Sequence, residues 1–159
     1  MLDTVENIFG GFLRERSLRP TPERLNVLHR VYAMNGPFTA DTLLEDLRAL
    51  GHRISRATIY NTLELLLECR LVEHHQFGRF GSYYEKSHGR RQADHLLCTN
   101  CGRIQEFCDP RLYPILQDTG QVLGQEIQHH QLHVHGACLQ LQKTGQCPHW
   151  TSSDPNFRR

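Results

Sequence analysis

The sequence lacks the features that would place it in a membrane or an export pathway. Over 159 residues, no apolar run approaches the roughly 18–20 residues of a membrane-spanning helix, and the first residues lack the basic start and apolar core of a signal peptide. The chain is therefore expected to stay in the reducing cytoplasm, without a membrane partner. There its six cysteines point to metal or redox chemistry rather than to disulfides.

The chain also lacks an excess of charge of either sign. Its formal net charge is +1, and residues 1–86 hold 11 basic and 11 acidic side chains. This balance argues against non-specific, charge-driven binding of nucleic acid, so any contact with DNA must depend on where single charges lie. The length and a hydrophobic content of 38% fit a globular chain of one or two small domains.

Four cysteines carry the strongest chemical signal. Cys98 and Cys101 are separated by two residues and followed by Gly102, the spacing of a metal knuckle whose turn lets both sulfurs face one point. Cys138 and Cys147 supply two more soft ligands. The set predicts a closed, tetrahedral structural zinc site.

Two alternatives to that arrangement stay open. His149 can take the place of Cys147 as the fourth ligand. The Cys98–Cys101 pair can also be a redox pair, although such pairs favour a helix N-terminus and this one lies in a predicted strand turn. A zinc enzyme is disfavoured, because four thiolates close the coordination shell and the sequence shows no Ser-His-Asp or paired-carboxylate arrangement.

Periodicity in the first half predicts four helices and then a hairpin. Thr21, Thr39 and Ser55 stand at predicted N-caps, and apolar residues repeat at helical spacing behind them. Two short strands follow, separated by a glycine-containing turn. This order, with a polar-faced fourth helix, is typical of a winged helix-turn-helix. The predicted elements are helices at 3–15, 22–35, 40–50 and 56–69 and strands at 71–76 and 82–85.

The polar face of the helix at 56–69 is the candidate DNA reader. Arg56 can bridge a guanine edge and Asn61 can pair with adenine. Thr58 and Tyr60 can reach a phosphate or a thymine methyl group. The alternative is an ordinary solvated helix face.

The second half predicts a smaller α/β unit around the cysteines. Alternation along its last strand places His130 inward, where it can share a metal with His95, and places His133 on the outer face. The outer row, His129, His133 and His135, could bind metal too. The alternative is a solvated or dimer-facing row of histidines. The predicted elements are strands at 95–98, 103–107 and 127–135 and a helix at 110–123.

Three stretches of the chain carry a family resemblance, Leu18-Arg19-Pro20-Thr21-Pro22-Glu23-Arg24, Ser55-Arg56-Ala57-Thr58-Ile59-Tyr60-Asn61-Thr62-Leu63 and Asp94-His95-Leu96-Leu97-Cys98-Thr99-Asn100-Cys101-Gly102. In that order they resemble the ferric uptake regulator (Fur) family of metal-responsive bacterial repressors, over about residues 5–147. The resemblance implies a winged-helix domain, an α/β dimerisation domain, a homodimer on palindromic operators and a four-cysteine zinc. Ala57, Thr58 and Tyr60 match the family's recognition helix, and Arg19 matches a basic position that reaches DNA.

The same resemblance implies regulatory metal ligands, of which this chain keeps only some. Pro37 stands where the family has a histidine, Gln92 and Ala93 replace two more nitrogen ligands, and Tyr113 replaces an acidic one. A divalent ion needs about four to six ligands, so a degenerate or rearranged site for a second ion, Fe²⁺, Mn²⁺ or Zn²⁺, is predicted. The matching ligands that remain are Glu85, Asp94, His95, Glu106 and His130.

The resulting prediction is an α+β, homodimeric, sequence-specific transcription repressor that binds a double-stranded DNA operator and is not an enzyme. Its winged helix-turn-helix domain spans 1–86, and a hinge spans 87–93. A zinc-binding dimerisation domain with a three-stranded sheet spans 94–150, and a flexible tail spans 151–159. The alternative is a histidine-rich, zinc-binding interaction module, which would bind several metal ions per chain and would ignore DNA.

Overall fold

The computed structural model describes residues 2–89 and 94–149, apart from the side chain of residue 79. Residues 90–93 of the predicted hinge and the predicted tail at 151–159 lie outside the described residues. In the described ranges, no helix has both the length and the apolarity that crossing a lipid bilayer requires.

Two compact units divide the chain, Met1–Arg91 and Gln92–Arg159, here called the N-terminal and the C-terminal unit. The described part of the first unit is mainly helical, and that of the second holds a three-stranded sheet and two helices. The predicted α+β class is therefore confirmed.

Four helices and a two-stranded antiparallel sheet build the described part of the N-terminal unit. Thr21, Thr39 and Ser55 each cap a helix through a side-chain oxygen that accepts a hydrogen bond from a backbone N–H. These caps set where the second, third and fourth helices begin, as predicted. The elements are α1 (Leu2–Glu15), α2 (Pro22–Ala33), α3 (Ala40–Ala49), α4 (Arg56–Glu68), β1 (Val72–Gln76) and β2 (Ser82–Lys86).

The apolar faces of the four helices meet in one buried core. Phe9, Leu28, Leu47 and Leu63, one from each helix, are at most 1% exposed. Burying a side chain of this size contributes about 1.5–3 kcal/mol. The core therefore fixes the rotation of each helix about its own axis, and with it the direction of the polar face of α4.

The β1–β2 hairpin is joined by polar contacts to the end of α2 and to the residue before the N-cap of α3. Phe38 exchanges two backbone hydrogen bonds with Tyr84 of β2, at 2.9 and 2.7 Å. The Lys86 ammonium group donates to the carbonyl oxygens of Tyr32 and Met34, at 3.1 and 2.7 Å. A cation at the carboxyl end of a helix satisfies carbonyl groups that the helix leaves free. The hairpin is thereby held as the wing of the predicted winged helix.

In the C-terminal unit, β3 is the central strand of a sheet ordered β4-β3-β5. β4 runs antiparallel to β3, whereas β5 runs parallel to it and places Gly136 opposite Cys98. The predicted three-stranded sheet is confirmed. The elements are β3 (Asp94–Cys98), β4 (Ile104–Phe107), α5 (Leu112–Leu123), β5 (His133–Gly136) and α6 (Leu139–Thr144).

The prediction of a last strand at 127–135 is wrong over most of its length, because the strand begins only at His133. After α5 the chain folds back along that helix instead of entering the sheet. The Gln125 N–H donates to the Gly120 carbonyl oxygen at 2.8 Å, and Ile127 Cγ1 would lie 2.8 Å from a Cβ added at residue 120. A glycine on α5 thus lets the returning chain approach closely.

Two helix boundaries in this unit also differ from expectation. α5 begins at Leu112 rather than at Pro110, since the Arg111 N–H donates to Asp109 Oδ1 at 3.0 Å and forms a turn before the helix. α6 is not among the predicted elements. At the start of α6, the Cys138 sulfur accepts a hydrogen bond from the Leu141 N–H at 3.4 Å. Cysteine is not one of the residues that usually cap a helix, so the sequence did not predict this helix.

Tyr32 allows the packing at the end of α2 to be tested. Its side chain is 8% exposed, and its hydroxyl donates to the Leu71 carbonyl oxygen at 2.9 Å. Burial raises the pKa of Tyr32 from 10.0 to about 12. The stability that depends on the protonated hydroxyl is therefore present below pH 10.0 and is lost as the pH rises towards about 12.

We expect Tyr32→Phe to lower the free energy of unfolding by about 0.5–1.5 kcal/mol at neutral pH, because one buried hydrogen bond is lost while the Leu71 carbonyl oxygen keeps the Ser87 N–H as a donor at 3.1 Å. The difference from the wild type should shrink at about pH 11, where the wild type is losing the contribution of Tyr32. Urea unfolding followed by circular dichroism at both pH values measures it, with Tyr60→Phe as the control at an exposed tyrosine. A difference that grows with pH would contradict the assignment.

Candidate nucleic-acid interface and metal centres

The exposed face of α4 carries the side chains predicted to read DNA. Thr58 is half-buried, and its hydroxyl and its backbone N–H both bond to the Ser55 hydroxyl, at 2.8 and 3.0 Å. Ile59 and Leu63 of the same helix are fully buried. Since these residues point into the core, the helix face between them and opposite them is held outward. On α4, the exposed members of the predicted set are Arg56, Ala57, Tyr60 and Asn61.

The basic side chains near this face are available for contacts with an anion. Arg56 Nη1 lies 2.9 Å from Asp41 Oδ1, and the two side chains are 63% and 54% exposed. An exposed ion pair contributes at most about 1 kcal/mol, so Arg56 can exchange the carboxylate for a DNA group at little cost. Arg19 is exposed just before α2, and its carbonyl oxygen accepts a hydrogen bond from Arg24 Nη1 at 2.7 Å.

A shallow cleft of about 410 Å³ opens beside the first turns of α2 and α4. It contains two arginines, Arg24 and Arg53, that are absent from the predicted set. Their positions near the helix caps Thr21 and Ser55 were the sequence feature from which they could have been predicted. Helix N-termini with adjacent cations are suited to phosphate. The lining residues are Thr21, Glu23, Arg24, Arg53, Ser55, Thr58, Asn61 and Thr62.

The sheet brings the first three predicted zinc ligands together. Cys98 is the last residue of β3, and Gly102 has a φ of 75°, the conformation that the predicted knuckle turn needs. Because Gly136 is paired with Cys98, Cys138 follows two residues later and its thiol reaches Cys98. The Cys138 N–H also donates to the side chain of Asn100, within the knuckle, at 2.8 Å.

Contacts between thiols run from Cys138 to Cys98, from Cys98 to Cys101 and from Cys101 to Cys147. Burial, together with the neighbouring thiols, raises the pKa of Cys101 to about 11. Burial would also raise the pKa of Cys98, but hydrogen bonds from the backbone of Cys101 and Asn100 and from two thiols outweigh it and lower this pKa. A compact group of soft sulfur donors fits a zinc ion.

His149, the alternative fourth ligand, is placed differently from Cys147. Its ring contacts the guanidinium group of Arg103. Both residues line a cavity of about 220 Å³ together with Cys98, Cys101 and Cys138. Cys147 is 8% exposed and contacts Cys101, whereas His149 is exposed.

The predicted regulatory ligands of the C-terminal unit fall on two faces of β3. Asp94 and His95 are consecutive and point to opposite faces, and they are 5% and 2% exposed. His130 Nε2 lies 3.3 Å from Asp94 Oδ1. Glu106 of β4 is exposed and is paired with His95. The structure thus groups Asp94 with His130 and His95 with Glu106.

The second neighbour of His95 is His133, which the prediction placed on the outer face. The two residues are paired across β3 and β5, and their ring centroids are 5.8 Å apart with an angle of 67° between the planes. The expectation that His130 would take this position followed from a predicted last strand that began at residue 127, whereas the strand begins at His133. His130 precedes β5 and contacts Asp94 instead. Only the register of β5 against β3 identifies His133.

Glu85, the predicted ligand of the N-terminal unit, lies in the wing. It is 5% exposed, and its Oε2 is 3.5 Å from Nε2 of His75, which is itself 3% exposed. Glu73 Oε2 lies 3.9 Å from the same nitrogen. His75 was not predicted, although its place in the strand paired with β2 is a signal that sequence reasoning had available. A buried imidazole beside a carboxylate is a pair of metal-ligand type.

Similar proteins are known in sequence and in structure. A family model described as the ferric uptake regulator family matches residues 15–135. The peroxide operon regulator of Bacillus subtilis (strain 168) is 33% identical over 132 residues, which cover 82% of this chain and 89% of that protein. The Helicobacter pylori ferric uptake regulator Fur has a TM-score of 0.82 at 18% identity, covering 92% of this chain and 97% of that one. A zinc uptake regulator complexed with zinc and DNA is 27% identical, with a TM-score of 0.54, covering 92% and 95%.

Proposed function

The chain belongs to the ferric uptake regulator family, and from this premise we propose that it is a repressor that binds a specific DNA operator as a zinc-containing homodimer. As a member of this family it is a transcription regulator rather than an enzyme. The observation that carries the proposal is the outward polar face of α4, held by a buried apolar face on the same helix. The protein acts in the cytoplasm, where its operator lies.

In this proposal α4 enters the major groove and the arginines around it hold the phosphate backbone. Asn61 pairs with an adenine edge and Arg56 with a guanine edge or a phosphate. Arg24 and Arg53 bind a phosphate in the cleft that they line. The similarity to a zinc uptake regulator complexed with zinc and DNA supports DNA binding by this chain. Occupation of the operator then blocks transcription.

Two substitutions separate base reading from phosphate contact. Asn61→Ala should cost about 1–3 kcal/mol of discrimination between the operator and unrelated DNA. Arg19→Ala should instead weaken binding to both duplexes alike and reduce the slope of log K against log salt by about 1. Fluorescence anisotropy on a duplex selected by the wild type from a random pool measures both effects. Arg48→Ala, on the exposed end of α3, is the control.

Absence of any selected duplex, with or without Zn²⁺, Fe²⁺ or Mn²⁺, would overturn the proposal. If Asn61→Ala weakens binding to the operator and to unrelated DNA equally, Asn61 does not recognise a base.

The proposed structural zinc is held by Cys98, Cys101, Cys138 and Cys147. Contacts between their thiols support this set, and the contact of Cys147 with Cys101 supports Cys147 over His149 as the fourth ligand. Bound there, zinc would tie the β3–β4 turn to both ends of α6 as a closed structural cross-link.

We expect the purified wild type to carry about one zinc per chain after mild chelation, and Cys98→Ser to carry none, because three thiolates hold the ion far less tightly. Cys147→Ser should lose zinc as well, whereas His149→Ala should retain it. Cys108→Ser, at an exposed cysteine of the same unit, is the control. Elemental analysis gives the result, and full zinc in Cys98→Ser would contradict the site.

Exposed apolar surface supports the proposed homodimer. Tyr113, Ile115, Val122 and Leu123 of α5 are 68%, 59%, 86% and 69% exposed. Among the described residues of the C-terminal unit, the buried apolar side chains are those of Leu97, Cys101 and Cys147. Of the exposed side chains, Ile115, Val122 and Leu123 lie within about 100° of one another around the helix axis and form one exposed apolar face. A unit with so small a core and such a face is suited to burial against a second copy.

We expect Ile115→Asp combined with Val122→Asp to convert the dimer into a monomer, because two charges would have to be buried in an apolar interface. Sedimentation equilibrium at micromolar concentration measures the mass. Leu50→Asp, at a 60% exposed leucine of the N-terminal unit, should leave the dimer intact. A monomeric wild type would contradict the assembly.

A further inference from the structure

The helix α4 begins with a positive charge at a position that does not favour one. Arg56 is its first residue, at the end where the helix dipole is positive, and the first turn, residues 56–59, contains no acidic residue in the sequence. A cation at this end destabilises a helix. The stability of α4 therefore does not account for Arg56, whose side chain is 63% exposed beside the face proposed to recognise DNA.

The neighbouring helix supplies a negative charge at the same place. Asp41 lies in the first turn of α3, and its Oδ1 is 2.9 Å from Nη1 of Arg56. Because both side chains are more than half exposed, the ion pair changes an equilibrium by at most about fivefold. Asp41 thus puts a carboxylate on a surface that is proposed to approach the phosphate backbone, which repels it.

We propose that Asp41 is a specificity-determining residue, which holds Arg56 for a guanine edge and makes its contact with a phosphate less favourable. This inference rests on the proposed function, since it names how the surface around α4 rejects unrelated DNA. Specific interfaces combine attraction to one partner with repulsion of the others. Every duplex offers phosphates, so a penalty on a phosphate contact weakens mainly the binding that lacks base recognition.

The guanidinium group of Arg56 can bond to Asp41 and to guanine at the same time. It has five N–H donors in a planar fork, and the ion pair engages Nη1. Nε and Nη2 can still donate side by side to O6 and N7 of guanine. A phosphate instead brings a second negative charge beside the carboxylate, and the two anions compete for one cation. Guanine recognition therefore keeps the ion pair, whereas contact with a phosphate weakens it.

Asp41→Asn tests this role on the full chain, with the duplex that the wild type selects from a random pool and with unrelated DNA. We expect unrelated DNA to bind about three- to fivefold more tightly, because Arg56 is released to a phosphate. Binding to the selected duplex should change by less than about twofold. The slope of log K against log salt should steepen by about 0.9 on unrelated DNA alone, as one added phosphate contact requires. Fluorescence anisotropy over a salt series measures both quantities.

Replacing Arg56 gives a second measurement that leaves α3 unchanged. Arg56→Gln should weaken binding to the selected duplex but should leave the salt slope on unrelated DNA as it is, because Asp41 keeps Arg56 from the phosphates there. In this background, the additional Asp41→Asn substitution should no longer steepen the slope. Asp41→Glu, which keeps the carboxylate, should retain the specificity of the wild type.

Glu45→Gln is the matched control, because it removes one negative charge from an exposed position of the same helix, one turn after Asp41. Its preference for the selected duplex and its salt slopes should equal those of the wild type. Circular dichroism confirms that each variant is folded.

An unchanged preference and slope in Asp41→Asn would overturn the proposal, as would an equal steepening of the slope when Arg56 is already replaced. In both cases the wild type still binds its selected duplex, so the proposed repressor function stands. A wild type that selects no duplex would contradict the proposed function and this inference together.

Discussion

The parallel pairing of β3 with β5 is the constraint on which the C-terminal unit depends. One register places Gly136 opposite Cys98 and His133 opposite His95. The same alignment thus brings a distant cysteine to the knuckle and a distant histidine to the buried imidazole of β3. Parallel strands need a long crossover connection, and here β4, α5 and the returning chain supply it. A shift by one residue would turn every side chain of β5 to the other face and separate both groups.

A different constraint, the buried face of α4, organises the N-terminal unit. Ile59 and Leu63 are held in the core, so Tyr60 and Asn61, which lie between them, point to solvent. The Ser55 cap adds a second restraint, because it bonds to both the backbone and the hydroxyl of Thr58. The reading surface is thus preorganised by packing and capping, and its exposed arginine–aspartate pair remains free to exchange partners.

The proposed metal chemistry divides by donor type within the C-terminal unit. Sulfur donors gather at the knuckle, where burial and closed coordination favour a permanent ion. Nitrogen and carboxylate donors lie along β3 in two groups on opposite faces, where fewer ligands favour exchange. In the wing, His75 and Glu85 form a separate buried pair of the same donor type.

The sequence by itself determined the elements that local chemistry controls. Caps at Thr21, Thr39 and Ser55, apolar periodicity and the Cys98–Cys101 knuckle act over a few residues, so the four helices, the wing and the knuckle were predictable. Only the tertiary structure decided what long-range packing controls. The segment before His133 carries alternating side chains like a strand, but it folds back on α5 because Gly120 permits close approach. This change of path places His130 beside Asp94 and His133 beside His95. The partner of a strand residue is set by the register between the strands and not by the residue's own sequence.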